Sequence, residues 1–536
     1  MEKSLSVRKK MFIIAAIIIA AALIRLYNIN GALFDFNPLR QAVNAFISRN
    51  YAFNPNAMFL LPAAHNMGPD PGYFMFELPV VQYMISFFVK IFGANNWVFR
   101  VPFVFFFMMS AIFFYKLCSK ILDFKTSALA LVFYSIAPMS ILMGRVFQIE
   151  SCLLFVMFAS IYYFIEWLEN EKDKDLLIST IGLTVLVLIK ITNLYVLIFL
   201  FALFFIYNKP RLILRSIIPL IFVLSVNYFW WGMYSNGIRE MFPTEYTVTS
   251  DNVNRFTPKN ILAIMRTYSL SSEYWILTAK HTFLKVFSPP LFILLLGGIC
   301  VRKKKRLQLF LLSWIGSVFV FLFVFSTAAR QIYYKIHLVP VGSIFIAICF
   351  LWLFEKIKTK WGKVMFSVIS GIVIMASIFI IVYPVIRVKP IFQQQEELGE
   401  KVEALSDDGD LVVATFGPDA LLLFYCNRRG WSQYLNSVED NIGLLEQRRK
   451  DGATYFVCGN LNEFDFNPEF KEYMLENYEL ISAEDMKCDE PDGFSIDHLI
   501  WKTASKFNSP IFAAIKKRIE RRSMGHVIFD LKEKTK

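Results

Sequence analysis

Phe103-Val-Phe-Phe-Phe-Met-Met109 decides the class of this protein, because a run of that kind would aggregate in water. Reading outward, the same character fills the chain. Of its 536 residues 56% are hydrophobic, 17% aromatic and only 18% charged, with 56 Phe. Mean hydropathy is +0.48. Soluble domains lie at about 45–50% apolar with about 25% charged residues. The composition therefore predicts a polytopic α-helical membrane protein. The formal net charge is +13. In a soluble protein that would suggest nucleic acid. Here the basic residues cluster between apolar runs, so membrane topology accounts for them and no nucleic-acid partner is expected.

Apolar runs begin near residues 11, 98, 127, 150, 176, 192, 216, 287, 307, 335 and 364. A span needs roughly 17–25 mostly apolar residues, so these runs predict about eleven transmembrane helices. The first run follows Lys3, Arg8, Lys9 and Lys10, continues to about Tyr27 and shows no clear cleavage site, so it reads as an uncleaved span. With the N-terminus in the cytoplasm, strict alternation puts the two densest basic loops inside. These are Arg302-Lys-Lys-Lys-Arg306 and the Lys356, Lys358, Lys360, Lys363 group. The outer face then receives residues 28–97, a loop from Met233 to Val286, and everything after about Arg387. Within the first outer loop, Phe74–Phe92 is too short to span and reads as lying along the membrane surface or capping the bundle.

Three regions follow: a transmembrane domain over 1–388 with its first outer loop at 28–97, a soluble α/β domain over 389–505, and a basic tail over 506–536. In the α/β region Gln393–Leu405 and Val438–Arg449 read as helices, and Asp410–Phe416 and Thr454–Cys458 as strands. In the tail, Lys516, Lys517, Arg518, Arg521 and Arg522 interleave with Ile511, Phe512, Ile515 and Ile519, a pattern that suits anionic lipid or a solvated charged face. None of the seven Cys forms a close-spaced metal pattern. Cys426 and Cys458 could pair in an oxidising compartment or remain thiols.

Polar groups at the edge of a membrane span are costly, so they mark candidate sites. Asp35-Phe-Asn-Pro-Leu-Arg-Gln41 puts a carboxylate, a guanidinium and two amides just after the first span. His65, Asp70 and Glu77 follow in the same outer loop, and Arg100 heads the second span. Arg145, Gln148 and Glu150 come after the third. Lys190 stands inside Leu186-Val-Leu-Ile-Lys-Ile-Thr-Asn193, and Arg330, Gln331, Tyr333, Tyr334, Lys335 and His337 gather before the tenth. Taken singly, Arg100 and Arg145 could snorkel to headgroups, His337 could be a core histidine, and Glu77 could cap a helix. Lys190 has no nearby local partner. Together, cations and carboxylates on one face of a lipid-embedded bundle suit a substrate with a phosphate and a lipid tail. Arg and Lys would clamp the phosphate, and a carboxylate would serve as base or steady an oxocarbenium ion.

In their order, Arg40-Gln-Ala42, Arg49-Asn50-Tyr51, Glu77-Leu-Pro-Val-Val-Gln-Tyr83, Ile91-Phe-Gly93, Arg100-Val-Pro102, Gly144-Arg145, Glu150, Lys190, Gln331-Ile-Tyr-Tyr334 and His337-Leu-Val-Pro340 resemble the GT-C glycosyltransferases. The nearest group is the bacterial branch of the dolichyl-phosphate-mannose–protein mannosyltransferase superfamily, which includes the lipid A aminoarabinose transferase. The resemblance covers roughly residues 11–210 and returns near 330–340. It implies a GT-C-like bundle in a bacterial plasma membrane, with the N-terminus cytoplasmic and the C-terminal domain outside. It further implies a polyprenyl-phosphate sugar donor, an extracytoplasmic lipid, glycan or protein acceptor, and inversion at the anomeric carbon. No cofactor and no metal are expected. Relatives carry an acid or His three residues before the Arg, where this chain has Asn37, and often Asp three after it, where this chain has Val43. That leaves Asp35 as the expected base, with Asp70 and Glu77 in reserve. Arg40, Arg145, Lys190 and Arg330 are expected as phosphate ligands, Gln41 and Glu150 as further substrate-binding residues, with Tyr333, Tyr334 and His337 lining the sugar or lipid-phosphate pocket. The competing class is a lipid or solute transporter. It would expect helices broken by Pro or Gly at mid-membrane and internal repeats; no repeat is apparent.

Overall fold

The computed structural model describes residues 6–64, 67–70, 72–75, 77–242, 247–249, 269–416, 420–435, 439–486 and 524–533. The chain divides into two compact units. One comprises Met1–Asn30, Met75–Phe242 and Thr249–Ile386; the other comprises Gly31–Phe74, Pro243–Val248 and Arg387–Lys536.

The first unit is helical. Among the described residues, six helices are long and apolar enough to cross a membrane: Asn96–Ser119, Glu150–Asn170, Pro210–Ile238, Lys305–Val324, Ile332–Lys356 and Lys360–Ile386. A seventh arises if Ser272–Val286 and Pro289–Cys300, bent by 113°, count as one span. The protein is a polytopic helical membrane protein. The runs behind the expected eleven include the shorter helices Phe124–Ile136 and Ile191–Ile206. Burial sorts the spans. Glu150–Asn170 and Ile332–Lys356 are 67% buried and form the interior of the unit. Lys360–Ile386, 11% buried, packs only Ile374, Ile378, Val382 and Ile386, one stripe at a four-residue spacing. Both interior helices carry expected site residues at their starts.

A buried arginine closes one end of this unit. Arg25, fully buried, donates from Nη1 to the Ala21 carbonyl (2.8 Å) and from Nη2 to the Ser135 and Ser140 carbonyls (3.0 and 2.9 Å). The Ser135 carbonyl belongs to the last turn of Phe124–Ile136, which stops before Pro138 because proline offers no N–H to continue the ladder. A Cβ on Gly144 would stand 2.3 Å from Arg25 Nε and 2.8 Å from the Ser140 carbonyl oxygen. Gly144→Ala is therefore expected to cost about 1–3 kcal/mol through overpacking, read as a lower thermal transition of the detergent-purified protein.

The second unit is built on a six-stranded sheet in the order Met67–Gly68, Arg429–Ser432, Leu411–Thr415, Ala453–Cys458, Met524–Glu533, Tyr478–Met486. The three strands Arg429–Ser432, Leu411–Thr415 and Ala453–Cys458 run parallel, and the rest pair antiparallel. Helices Asn441–Lys450 and Pro468–Asn477 pack Leu445, Phe470 and Met474 against Val413, Phe456 and Phe529.

Two boundaries differ from the sequence reading. Residues 31–74, expected with the transmembrane domain, group with the C-terminal unit. There Phe34 stacks on Phe392 (5.0 Å) and meets Phe416 edge-on (5.4 Å), and Arg49 Nη1 donates to the Phe424 carbonyl (2.9 Å). Within the expected basic tail, Met524–Glu533 is a sheet strand between Ala453–Cys458 and Tyr478–Met486. The basic residues from Lys516 to Arg522 and His65 lie outside the described residues. Cys426 and Cys458 are both free and buried.

Candidate functional site

The centre of the first unit is Lys190, and the local fold explains its position. Helix Asp173–Ile189 stops at Lys190, whose backbone is extended (φ −156°, ψ 106°) before a 3-10 turn, Ile191–Tyr195. The last carbonyls of a helix lack intrahelical partners. Here Val187 accepts from Trp231 Nε1 (3.0 Å) and Leu188 from the Leu78 N–H (3.1 Å), while Leu186, already bonded to the Lys190 N–H (3.2 Å), also accepts from Asn193 Nδ2 (3.3 Å). The break is thus satisfied from three directions and holds Lys190 in place.

Lys190 Nζ lies 2.7 Å from Glu150 Oε1, with side-chain exposures of 13% and 3%. Glu150 opens helix Glu150–Asn170, where the positive end of the helix favours a carboxylate. The same ammonium sits 3.9 Å from the Tyr334 ring centroid and 5.0 Å from that of Tyr333, and the two rings stack at 4.7 Å. His337 Nδ1 and the Tyr195 hydroxyl are 3.0 Å apart, both buried. Glu150, Lys190, Tyr333 and Tyr334 are therefore brought together, with His337 on the same short helix as the tyrosines, Ile332–His337. Arg330, just before it, is exposed. Beside them Phe321 faces both His337 (5.0 Å) and Tyr334 (6.2 Å). Leu322 and Leu338, the next residues along, border an apolar cavity of about 230 Å³ that Trp275, Phe287, Phe292 and Phe319 also line.

Two arginines and an amide of this unit reach backbone carbonyls. Arg145 Nη2 donates to the Asn28 carbonyl (2.9 Å), Arg100 Nη1 to Ile29 (3.1 Å) and Asn96 Nδ2 to Asn30 (3.2 Å). They grip the chain where it leaves the first helix, Val7–Leu26. Glu77 is buried, and its Oε1 accepts from Gln82 Nε2 (2.8 Å).

In the second unit, Asp35 precedes helix Pro38–Phe53, which starts with Pro after a left-handed Asn37 (φ 50°, ψ 62°). Asp35 is buried, and its Oδ1 accepts from Gln41 Nε2 (2.9 Å) and from the Phe36 N–H (3.1 Å). Gln41, expected at the substrate, is wholly buried and also donates to the Leu33 and Phe36 carbonyls (3.0 and 2.9 Å). Arg40 is half-buried and Asp70 exposed.

Sequence reasoning assigned no role to Asn193, Trp231, Gln82 or Arg25. Two left a signal: Asn193, an amide three residues beyond the Lys190 break, and Gln82, inside the quoted Glu77–Tyr83 motif.

Residues 76–231 match the family model described as dolichyl-phosphate-mannose-protein mannosyltransferase. No curated protein sequence matches the chain. Several solved structures do. The archaeal oligosaccharyltransferase AglB from Archaeoglobus fulgidus, in complex with an inhibitory peptide and a dolichol-phosphate, has a TM-score of 0.56 at 12% identity, over 89% of this chain and 74% of that one. ArnT from Cupriavidus metallidurans in the apo state also scores 0.56 at 12% identity, over 87% of this chain and 95% of that one. The chain thus shares the fold of AglB and ArnT, and residues 76–231 carry its match to the mannosyltransferase family model.

Proposed function

We propose that this protein is a membrane glycosyltransferase that moves a sugar from a polyprenyl-phosphate donor to an extracytoplasmic acceptor, with inversion at the anomeric carbon. The observation that carries this reading is the buried Lys190–Glu150 pair with Tyr333 and Tyr334 beside it. A lysine and a carboxylate inside a membrane bundle cost too much to persist as packing alone. An ammonium held there is a ready partner for a phosphate. The apolar cavity bordered by Leu322 and Leu338 offers surface of the kind an isoprenoid chain needs. The dolichol-phosphate bound to AglB supports the same donor class.

In this reading Lys190 balances the phosphate as it leaves, and Arg145 and Arg330 add positive charge to the donor's surroundings. Glu150 keeps Lys190 oriented, while Tyr333, Tyr334 and His337 shape the pocket. The acceptor hydroxyl oxygen bonds to the anomeric carbon, and the bond from that carbon to the phosphate oxygen breaks. Its electron pair leaves on polyprenyl phosphate, and the hydroxyl proton passes to Asp35. A phosphate leaving group held by a cation needs little acid assistance. The enzyme would sit in a bacterial plasma membrane, N-terminus inside.

The test is transfer of labelled sugar from a polyprenyl-phosphate donor by the purified protein. Asp35→Asn is expected to lower kcat by about 10²–10⁴-fold, the range of a lost general base, with the protein still folded. Unchanged transfer in Asp35→Asn with loss in Glu77→Gln would move the base to Glu77. Unchanged transfer in both and in Asp70→Asn would remove the carboxylate mechanism.

A further inference from the structure

The first outer segment contains an amide whose contacts go beyond binding. Gln41 lies wholly buried in the second turn of Pro38–Phe53. Its Nε2, with two hydrogens to give, faces three acceptors at 2.9–3.0 Å that share them: the Leu33 carbonyl, the Phe36 carbonyl and Asp35 Oδ1. The three belong to one tight turn, and the turn is closed at its other end by Asn37 in the left-handed region with Pro38 behind it. Asn tolerates that backbone, and Pro fixes the first helical φ. The chain therefore doubles back over its own helix start, and the amide that meets it touches the carboxylate as well as the backbone on both sides. An amide needed only to close the turn would require the carbonyls alone.

We propose that Gln41 is a positioning residue for Asp35, given the reading of Asp35 as base. It holds Oδ1 so that the carboxylate presents a fixed face to the acceptor hydroxyl. The left-handed turn at Asn37 and the Gln41 hydrogen bond together set where the Asp35 carboxylate points. A misplacement of about 1 Å in such a group costs on the order of 10²-fold in rate.

The experiment compares Gln41→Leu and Gln41→Glu in the full-length protein, measuring kcat, donor KM and thermal stability. Leu removes the donor. Glu keeps the size but, when ionised, offers Asp35 an acceptor in place of an N–H, so it carries the test if the Leu variant does not fold. Positioning predicts a fall in kcat of about 10–100-fold in each folded variant with donor KM within about twofold. A role confined to the turn predicts reduced stability with kcat unchanged, and that result would overturn the assignment. A fall expressed in donor KM would also overturn it, placing Gln41 on the donor. The base reading is checked separately by Asp35→Asn: it can fail while Gln41 still moves kcat, or stand while Gln41 does not.

Discussion

Replacement of Lys190 with methionine is expected to reduce sugar transfer by about 10²–10³-fold in kcat/KM, the size of effect seen when one charge-stabilising donor is removed from an active site. Methionine keeps the length and apolar stem and deletes only the ammonium. The 2.7 Å partner Glu150 is then left in a site where its side chain is 3% exposed. An uncompensated buried charge costs about 3–5 kcal/mol, so Lys190→Met alone is also expected to unfold at lower temperature. The double variant Lys190→Met/Glu150→Gln separates the two consequences. It removes both charges, and its stability should return towards that of the parent while transfer stays low. If Lys190 merely held the bundle together, transfer would recover with stability. Binding of a polyprenyl phosphate to the purified protein should weaken in both variants. Transfer within about threefold of the parent in Lys190→Met would end the role assigned to this lysine.

That prediction rests on two residues the sequence marked, and on a pairing it did not. Lys190 stands out inside Leu186–Asn193 because a charge in an apolar run has no local excuse. Glu150, 40 residues away, was expected at the substrate, and nothing local ties it to the lysine until packing sets the two side by side. Membrane character was legible for the same reason as Lys190: hydrophobicity is a local property of the chain. The number of crossing helices was less so. A run of apolar residues does not reveal a stop such as the one between Ile136 and Pro138, or the 113° bend between Val286 and Pro289. The grouping of residues 31–74 with the C-terminal unit was hidden altogether. It depends on Phe34 meeting Phe392 and Phe416, contacts between residues more than 350 positions apart that leave no periodicity behind. Arg100 and Arg145 are harder to read. Arg145 was expected at the phosphate and Arg100 stood out as a charge heading a span, and each donates to a backbone carbonyl at the exit of the first helix. An arginine among backbone carbonyls and one awaiting an anion look alike in sequence.

Arg25 tests that distinction. It went unremarked because an arginine near the end of an apolar run ordinarily snorkels to the headgroups. Instead it is fully buried, with its guanidinium carbon 3.3 Å from the Phe107 ring centroid and hydrogen bonds to carbonyls of Ala21, Ser135 and Ser140. Two of those carbonyls flank the break between Phe124–Ile136 and Pro138–Met143. In hydrocarbon, an unsatisfied backbone group costs several kcal/mol because no water replaces the lost donor. Arg25→Met is therefore expected to destabilise the protein by about 1–3 kcal/mol, the cost of leaving a buried acceptor without its donor. Arg25→Lys should recover little, since an ammonium lacks the planar fork that reaches several acceptors at once. The measurement is the fraction of detergent-purified protein that stays monodisperse through a temperature ramp, with transfer assayed on what survives. A structural arginine predicts early loss of folded protein and near-parental kcat and KM in the remainder. If Arg25→Lys were as stable as the parent, or if folded Arg25→Met had lost transfer, the carbonyl contacts would not be the reason this arginine is buried.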